Sequence, residues 1–182
     1  MAKGAWKKKI LKVTLIRIFR YNAIMFRPMR RFKQQVSTEK CIEILKNEWR
    51  GVLALLGDDG YPYTVPLDFY YDESDGKIYF HGAKEGHKID AIEKYDKASF
   101  CVMDQGFKKE GEWALNITSV VCFGRIKKVE DFEKTKEKVC KLGEKYNPTT
   151  EAVQIEWEKA KNRVQCLEFE IEHMTGKLVN ES

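Results

Sequence analysis

The chain has 182 residues, enough for one domain that buries a core without disulfide or metal staples. With 43% hydrophobic and 34% charged residues it has the balance of an ordinary globular protein, which excludes collagen-like and low-complexity classes. The net charge of +5 is unevenly spread: Lys3, Lys7, Lys8, Lys9, Lys12, Arg17, Arg20 and Arg27 stand in residues 1–28 with no acid among them, so the remainder is near −3. A nucleic-acid partner is therefore not expected for the body of the chain.

In the basic segment, Ile10, Leu11, Val13, Leu15, Ile16, Ile18 and Phe19 alternate with cations. It is too short and too charged to span a bilayer and has no small-residue cleavage site. Residues 1–24 are expected to be an extension upstream of a true start at Met25. A basic amphipathic helix on a membrane surface is the alternative. Residues 25–182 then form the domain. Cys41, Cys101, Cys122, Cys140 and Cys166 contain no CxxC pair and each sits in an apolar pattern, so buried reduced thiols and a cytoplasmic setting are expected.

Ser37 and Thr38 offer N-caps for a helix over about 38–48, with Cys41, Ile42, Leu45 and Trp49 at helical spacing. Residues 51–56 form an apolar run stopped by Gly57-Asp58-Asp59-Gly60, and Tyr61 to Tyr71 resumes as a strand. After a turn at Asp72–Gly76, Lys77 to Ala83 is a third strand. Ile89, Ile92 and Tyr95 mark a helix, and Ala98 to Met103 a strand. A charged loop, Asp104 to Glu112, leads to a long strand from Trp113 to Val129 with a bulge at Gly124. Phe132, Val139, Cys140 and Leu142 mark a helix begun by Asp131, and Val153, Ile155 and Trp157 another. Arg163 to Ile171 is the last strand. The fold class is α+β, mainly β: a six-stranded antiparallel split β-barrel with flanking helices. Its expected core is Val52, Leu53, Leu55, Val65, Phe80, Phe100, Val102, Val121, Phe123, Leu167 and Phe169.

The segment from Tyr79 to Lys88 (YFHGAKEGHK) ends a strand at small residues, turns through glycine and opens a helix with Lys88 in its first turn. Free amides, the positive end of a helix and an ammonium group together suit an anion such as phosphate. A plain strand-turn-helix connection with a solvated lysine is the other reading. His81 and His87 lack the i, i+4 spacing of a helical metal pair, so no metal is expected. His173 is expected to be structural.

Several blocks resemble the nitroimidazole-resistance family within the pyridoxamine 5'-phosphate oxidase-like split barrels. They are Met25 to Arg31, Gly57 to Leu67 (GDDGYPYTVPL), Ile78 to Ala83, Gly86-His87-Lys88, Ala98 to Val102, Ser119 to Gly124 and Ile171 to Lys177. The resemblance implies a homodimer that binds FMN at the subunit interface and reduces a small-molecule substrate, with nitroaromatics as the class. By that analogy Val65, Pro66 and Leu67 border the isoalloxazine edge. His81, Gly82 and Ala83 border the ring and ribityl chain, with His81 as the catalytic candidate. His87 and Lys88 meet the phosphate, and Ser119 comes from the fifth strand. Tyr61, Tyr63, Phe69 and Tyr70 are expected on the surface that meets the second subunit. Trp113 to Thr118 departs from the family pattern, which puts substrate choice in doubt. An arginine-bearing C-terminal motif is missing, so vitamin B6 oxidation is not expected. A non-catalytic module holding flavin or haem is the alternative function.

Overall fold

The computed structural model describes residues 26–147 and 149–179. The chain divides into Met1–Arg30 and Arg31–Ser182. In the first unit residues 26–30 are described and carry no helix or strand; the expectation for residues 1–24 lies outside the described residues. The helices and strands described belong to the second unit. They are α1 (Thr38–Asn47), β1 (Arg50–Leu56), β2 (Pro62–Asp68), β3 (Tyr70–Asp72), β4 (Lys77–Ala83), α2 (His87–Lys94), β5 (Lys97–Met103), β6 (Phe107–Lys108), β7 (Leu115–Lys128), α3 (Phe132–Tyr146), α4 (Thr150–Ala160) and β8 (Val164–Val179), with 3₁₀ turns at Phe32–Gln34 and Asp58–Gly60.

The strands form one curled antiparallel sheet in the order β2-β1-β5-β7-β8-β4-β3, with β6 paired to β7. This is a split barrel of six long strands and two short ones. The expected strand Tyr61–Tyr71 is in fact two, β2 and β3, which lie at opposite ends of the sheet and are joined through Phe69 alone. One run of chain thus turns the corner that closes the barrel. The short β6 lies within what reads as a charged loop.

Phe69 is fully buried, and at this corner its amide and carbonyl have no ladder to join. Helix α3 supplies the partners. The Phe69 amide donates to Tyr146 Oη (3.1 Å), while Lys145 Nζ donates to the carbonyls of Phe69 (3.2 Å) and Glu48 (2.5 Å) and stands 4.1 Å from the centre of the Phe69 ring. Tyr146 Oη donates to the Trp49 carbonyl. Burial pushes the Lys145 ammonium down to about 8, against the pull of Glu48 and Asp68. Inside the barrel the Phe69 and Phe80 rings meet Phe100 edge-on, at 4.9 and 5.0 Å. Such pairs contribute roughly 0.5–1.5 kcal/mol each beyond area burial. Gly51 makes room for them, since a Cβ there would overlap the Phe100 ring.

Strands β7 and β8 pair from Ile117↔Val179 to Lys128↔Leu167, with a register shift between Phe123 and Gly124. The bulge expected at Gly124 is present: a Cβ on Gly124 would overlap the Glu170 carbonyl oxygen. Strand β8 runs past Ile171 to Val179 because β7 continues to bond it, although His173 to Gly176 breaks the alternation. His173 stacks on Phe123 at 6.3 Å.

Alternation corrects the expected core. Leu53, Phe100 and Cys122 are cross-strand neighbours facing inward, and Leu55, Phe80, Val102, Leu167 and Phe169 join them in the buried set. Val52, Cys101 and Val121 are the next row and face outward. Val52 and Phe123 are exposed, and Val65 and Val121 half-buried. An apolar run cannot by itself tell the two faces apart. Of the aromatics expected on the surface, Tyr61 is exposed, Tyr63 and Tyr70 are half-buried and Phe69 is core. Trp49, Tyr95, Phe132 and Ile155 are exposed where periodicity had them on buried helical faces. Four cysteines are buried and Cys101 is half-buried; all five are free thiols.

Helix α3 docks on the sheet through ions as much as through apolar groups. Buried Lys138 bonds Asp72 (2.8 Å) and Glu137 (2.9 Å), and Glu168, 1% exposed, takes Lys77 (2.7 Å) and Lys134 (2.5 Å). Burial alone would raise the Glu168 carboxyl, but the hydrogen bonds from Lys134 and Lys77 outweigh it and hold it down near about 2. A carboxyl depressed in the folded state stabilises above its unfolded pKa and loses that contribution as pH falls toward its folded one. Replacing Glu168 by Gln is expected to cost about 1.5–3 kcal/mol at pH 7, the range for hydrogen bonds to charged groups. Urea denaturation should show the gap between wild type and variant constant down to about pH 4.5 and closing toward pH 2. A gap that does not depend on pH would refute the ionic account.

Candidate functional site

The site lies where the barrel closes without a ladder. Strand β2 ends the sheet, with β1 as its sole partner among the described strands, and lies against β4 across the slit. Helix α2 begins at the end of β4 and spans the same gap. Val65, Pro66 and Leu67 pair with Leu53, Val52 and Gly51 on their β1 side and leave the other side of the backbone open. Pro66 is exposed and contributes no amide there.

Gly82 and Lys88 form the centre. The Lys88 ammonium lies over Gly82, where an added Cβ would stand 2.7 Å from Nζ. Lys88 is half-buried and among the described residues makes no ion pair. Burial pushes its ammonium below the ordinary lysine value. Gly86, at φ 113°, caps α2 without a side chain, so the first amides of the helix are left for solvent or a ligand. An unpaired half-buried cation, a glycine beneath it and open helix amides fit an anionic group. The residues expected for a flavin phosphate therefore suit one.

His87 sits differently. Its ring stacks on Tyr63, with centres 4.0 Å apart and 17° between planes, and its Nε2 is 3.5 Å from Asp58 Oδ2. Asp58 also holds Lys94 at 2.8 Å. His87 thus ties α2 to β2 and the Asp58–Gly60 turn, a role that spacing alone could not show.

On β4 alternation divides His81 and Ala83 from Gly82. Ile78 and Phe80 enter the barrel core, whereas Tyr79 packs with Val129 and Cys166 on the opposite side. His81 follows Tyr79 and looks onto α3 and α4, lining a cavity with Cys140, Leu142, Val153, Trp157 and Val164. Its ring reaches solvent yet is crowded by protein, and that crowding lowers its pKa, with Lys88 adding to the fall and Asp68 opposing it. Sequence reasoning missed this cavity, because its walls come from separate helices.

Ser119 is not brought to this site within one chain. It pairs with Met103 and Lys177, whereas His81 pairs with Cys166. From Cys166 to Lys177 is roughly 35 Å of strand at about 3.3 Å per residue. Of the nine residues expected at the site, the slit gathers Val65, Pro66, Leu67, Gly82, His87 and Lys88, with His81 and Ala83 on the reverse of β4.

The curled antiparallel sheet defines the class of split barrels, and comparison with known proteins agrees. Residues 37–178 match the Pyridoxamine 5'-phosphate oxidase family, and the chain belongs to it. Among solved structures, one described as a 5-nitroimidazole antibiotic resistance protein of Bacteroides thetaiotaomicron is similar over 80% of this chain and 87% of that one, at 19% identity and a TM-score of 0.66. A FAD-binding protein of Mesorhizobium loti is similar over 80% and 96%, at 22% identity and TM-score 0.58. A flavocytochrome of Azotobacter vinelandii is similar over 84% and 72%, at 20% identity and TM-score 0.66. At these identities the likeness speaks for the fold. A search of curated protein sequences finds no match. Among the described residues no helix is long and apolar enough to cross a membrane.

The electrostatics of the slit can be read from His81. Its imidazole is expected to titrate below about 6.5 in an NMR pH series. Lys88→Met should move it up, since a nearby cation disfavours the protonated ring, and Asp68→Asn should move it further down. A midpoint at or above the ordinary value in all three proteins would show that the ring is simply solvated.

Proposed function

We propose that this chain binds FMN in the slit and serves as a flavin-dependent reductase of small electrophilic substrates, with nitroaromatics as the class. The observation that carries the reading is Lys88, a half-buried ammonium without an ion pair among the described residues, held over Gly82 at the start of α2. The ammonium and the first amides of α2 take the phosphate. One such cation suits the single terminal phosphate of FMN better than the pyrophosphate of FAD. The open edge of β2 at Val65–Leu67 offers backbone groups to the ring heteroatoms. The flavin supplies the redox chemistry when bound. His81, the catalytic candidate of the resemblance, lines the cavity on the reverse of β4 and so takes no proton-transfer role at the slit in this reading, although burial lowers its pKa. The family membership and the similar nitroimidazole-resistance structure support this reading.

A homodimer is part of the proposal. The outward sheet face exposes Leu56, Val52, Met103 and Phe123, at 45, 38, 55 and 41%. Such a continuous apolar face usually meets a partner. A second copy is also the source from which Ser119 reaches a flavin site. Light scattering of the flavin-loaded protein at micromolar concentration is expected to give twice the chain mass; a monomer would remove the shared site. The alternative, a carrier without turnover, draws on the similar flavocytochrome. Flavin bands near about 375 and 450 nm, against a haem Soret band, distinguish the cofactors, and mass spectrometry of the released molecule separates FMN from FAD.

The decisive variant is Lys88→Ala. Loss of one charge-assisted bond, about 1.5–3 kcal/mol, should weaken FMN roughly ten- to a hundredfold. Riboflavin, which lacks the phosphate, should bind both proteins alike. His87→Ala should cost FMN less, through the loosened Tyr63 stack. An unchanged FMN dissociation constant for Lys88→Ala at moderate salt would retire the phosphate assignment and leave the fold standing.

A further inference from the structure

Beneath α3 and α4 lies an apolar cluster separate from the barrel core, made of Cys140, Val153, Trp157 and Val164, with Val139 against it. It does not fill its own space. A cavity of about 200 Å³ remains, with His81 in its wall. A cavity of about 150 Å³ lined by apolar side chains accepts benzene, so this one admits one aromatic ring or two fused ones. The two helices cross closely at Gly143, where an added Cβ would stand 3.0 Å from Val153 Cγ1. The cavity runs from that crossing to His81 on β4.

Of the polar groups that line the cavity, Glu156 can only accept, and Asn147 and His81 each carry an acceptor as well. The Glu156 carboxylate also takes Lys159 at 2.8 Å, yet a carboxylate accepts several hydrogen bonds. The Asn147 amide nitrogen donates one of its two hydrogens to the Gly143 carbonyl at 3.0 Å, which fixes the amide and leaves its carbonyl oxygen to accept from a ligand. A neutral His81 carries one acceptor nitrogen. An apolar slot with a carboxylate in its wall favours a flat ring that bears a donor.

We propose that the cavity between α3 and α4 binds a small, neutral, flat aromatic heterocycle with an N–H donor directed at Glu156 and Asn147. This site lies on the opposite side of β4 from Gly82, and it stands whether or not a flavin occupies the slit. A molecule seated in it touches His81, and through His81 the strand that carries the anion cradle.

The test is calorimetric titration of the full chain, as purified, with indole and with benzofuran, which has the same shape and no N–H. Indole should saturate at one per chain and bind roughly three- to tenfold more tightly than benzofuran, the difference a single hydrogen bond makes. Ala160→Phe, which pushes a ring into the cavity from the end of α4, should weaken indole at least tenfold. Glu156→Leu, at an exposed position, should bring indole down to the level of benzofuran. The proposal is overturned if indole does not saturate, if benzofuran binds as well as indole, or if indole binds Ala160→Phe unchanged. Should Ala160→Phe fail to fold by its thermal melt, Glu156→Leu decides. FMN titration of the same samples keeps the two sites apart: saturable indole binding supports this site whether or not FMN binds, and failure of FMN to bind sinks the slit reading alone.

Discussion

A sheet that curls into a barrel must bring its two edges round to each other, and in this chain a single residue spans the join. Strand β2 ends one edge and β3 the other, with Phe69 between them. Its amide and carbonyl are buried where no neighbouring strand can take them, and an unmet buried amide costs about 1–3 kcal/mol. Lys145 and Tyr146, at the end of α3, answer both groups. Helix α3 must therefore end at this corner. With that end pinned, its middle lies across β3, β4 and β8, where Lys138 and Lys134 find Asp72 and Glu168.

Two spaces follow from this arrangement. Because β2 and β3 part at Phe69, β2 does not bond β4, and the gap between them becomes the slit bridged by α2. Because α3 is anchored by ions and by its last turn rather than by a continuous apolar stripe, α4 packs on it at one crossing near Gly143 and leaves a cavity beside it. His81 belongs to the strand that separates the two spaces, which is why burial and the charges of both Asp68 and Lys88 act on it.

The same geometry explains how a cation can remain without an ion pair among the described residues. Lys88 projects from the first turn of α2 over a strand residue that has no side chain. His87, its neighbour, is turned away and engaged by Tyr63 and Asp58. Two acids of the surrounding elements are engaged by other cations: Asp58 by Lys94, and Asp68 by Arg50. Among the described residues the Lys88 charge is therefore not cancelled within the fold.

Much of this could be read from residues alone. The Asp-Gly turns, the strand from Lys77 to Ala83, the N-cap at Asp131 and the bulge at Gly124 are local matters of backbone freedom and side-chain type, and local physics decides them. The cluster of Gly82, Gly86 and Lys88 was legible for the same reason, since a strand end, a turn and a helix start occupy consecutive residues. Which face of β1 or β7 is buried was not legible, because Val52 and Leu53, or Val121 and Cys122, are equally apolar and register across strands makes the choice. Nothing local to Lys138 marks it for burial; it is Asp72, 66 residues away, that meets it in the folded chain. Phe69 read as one residue in a long strand, and only closure of the barrel made it a corner. The place of Ser119, and the cavity at His81, were likewise decided by tertiary structure. They depend on distances between elements remote in the chain, set by how the sheet curls, and no spacing along the sequence encodes that curl.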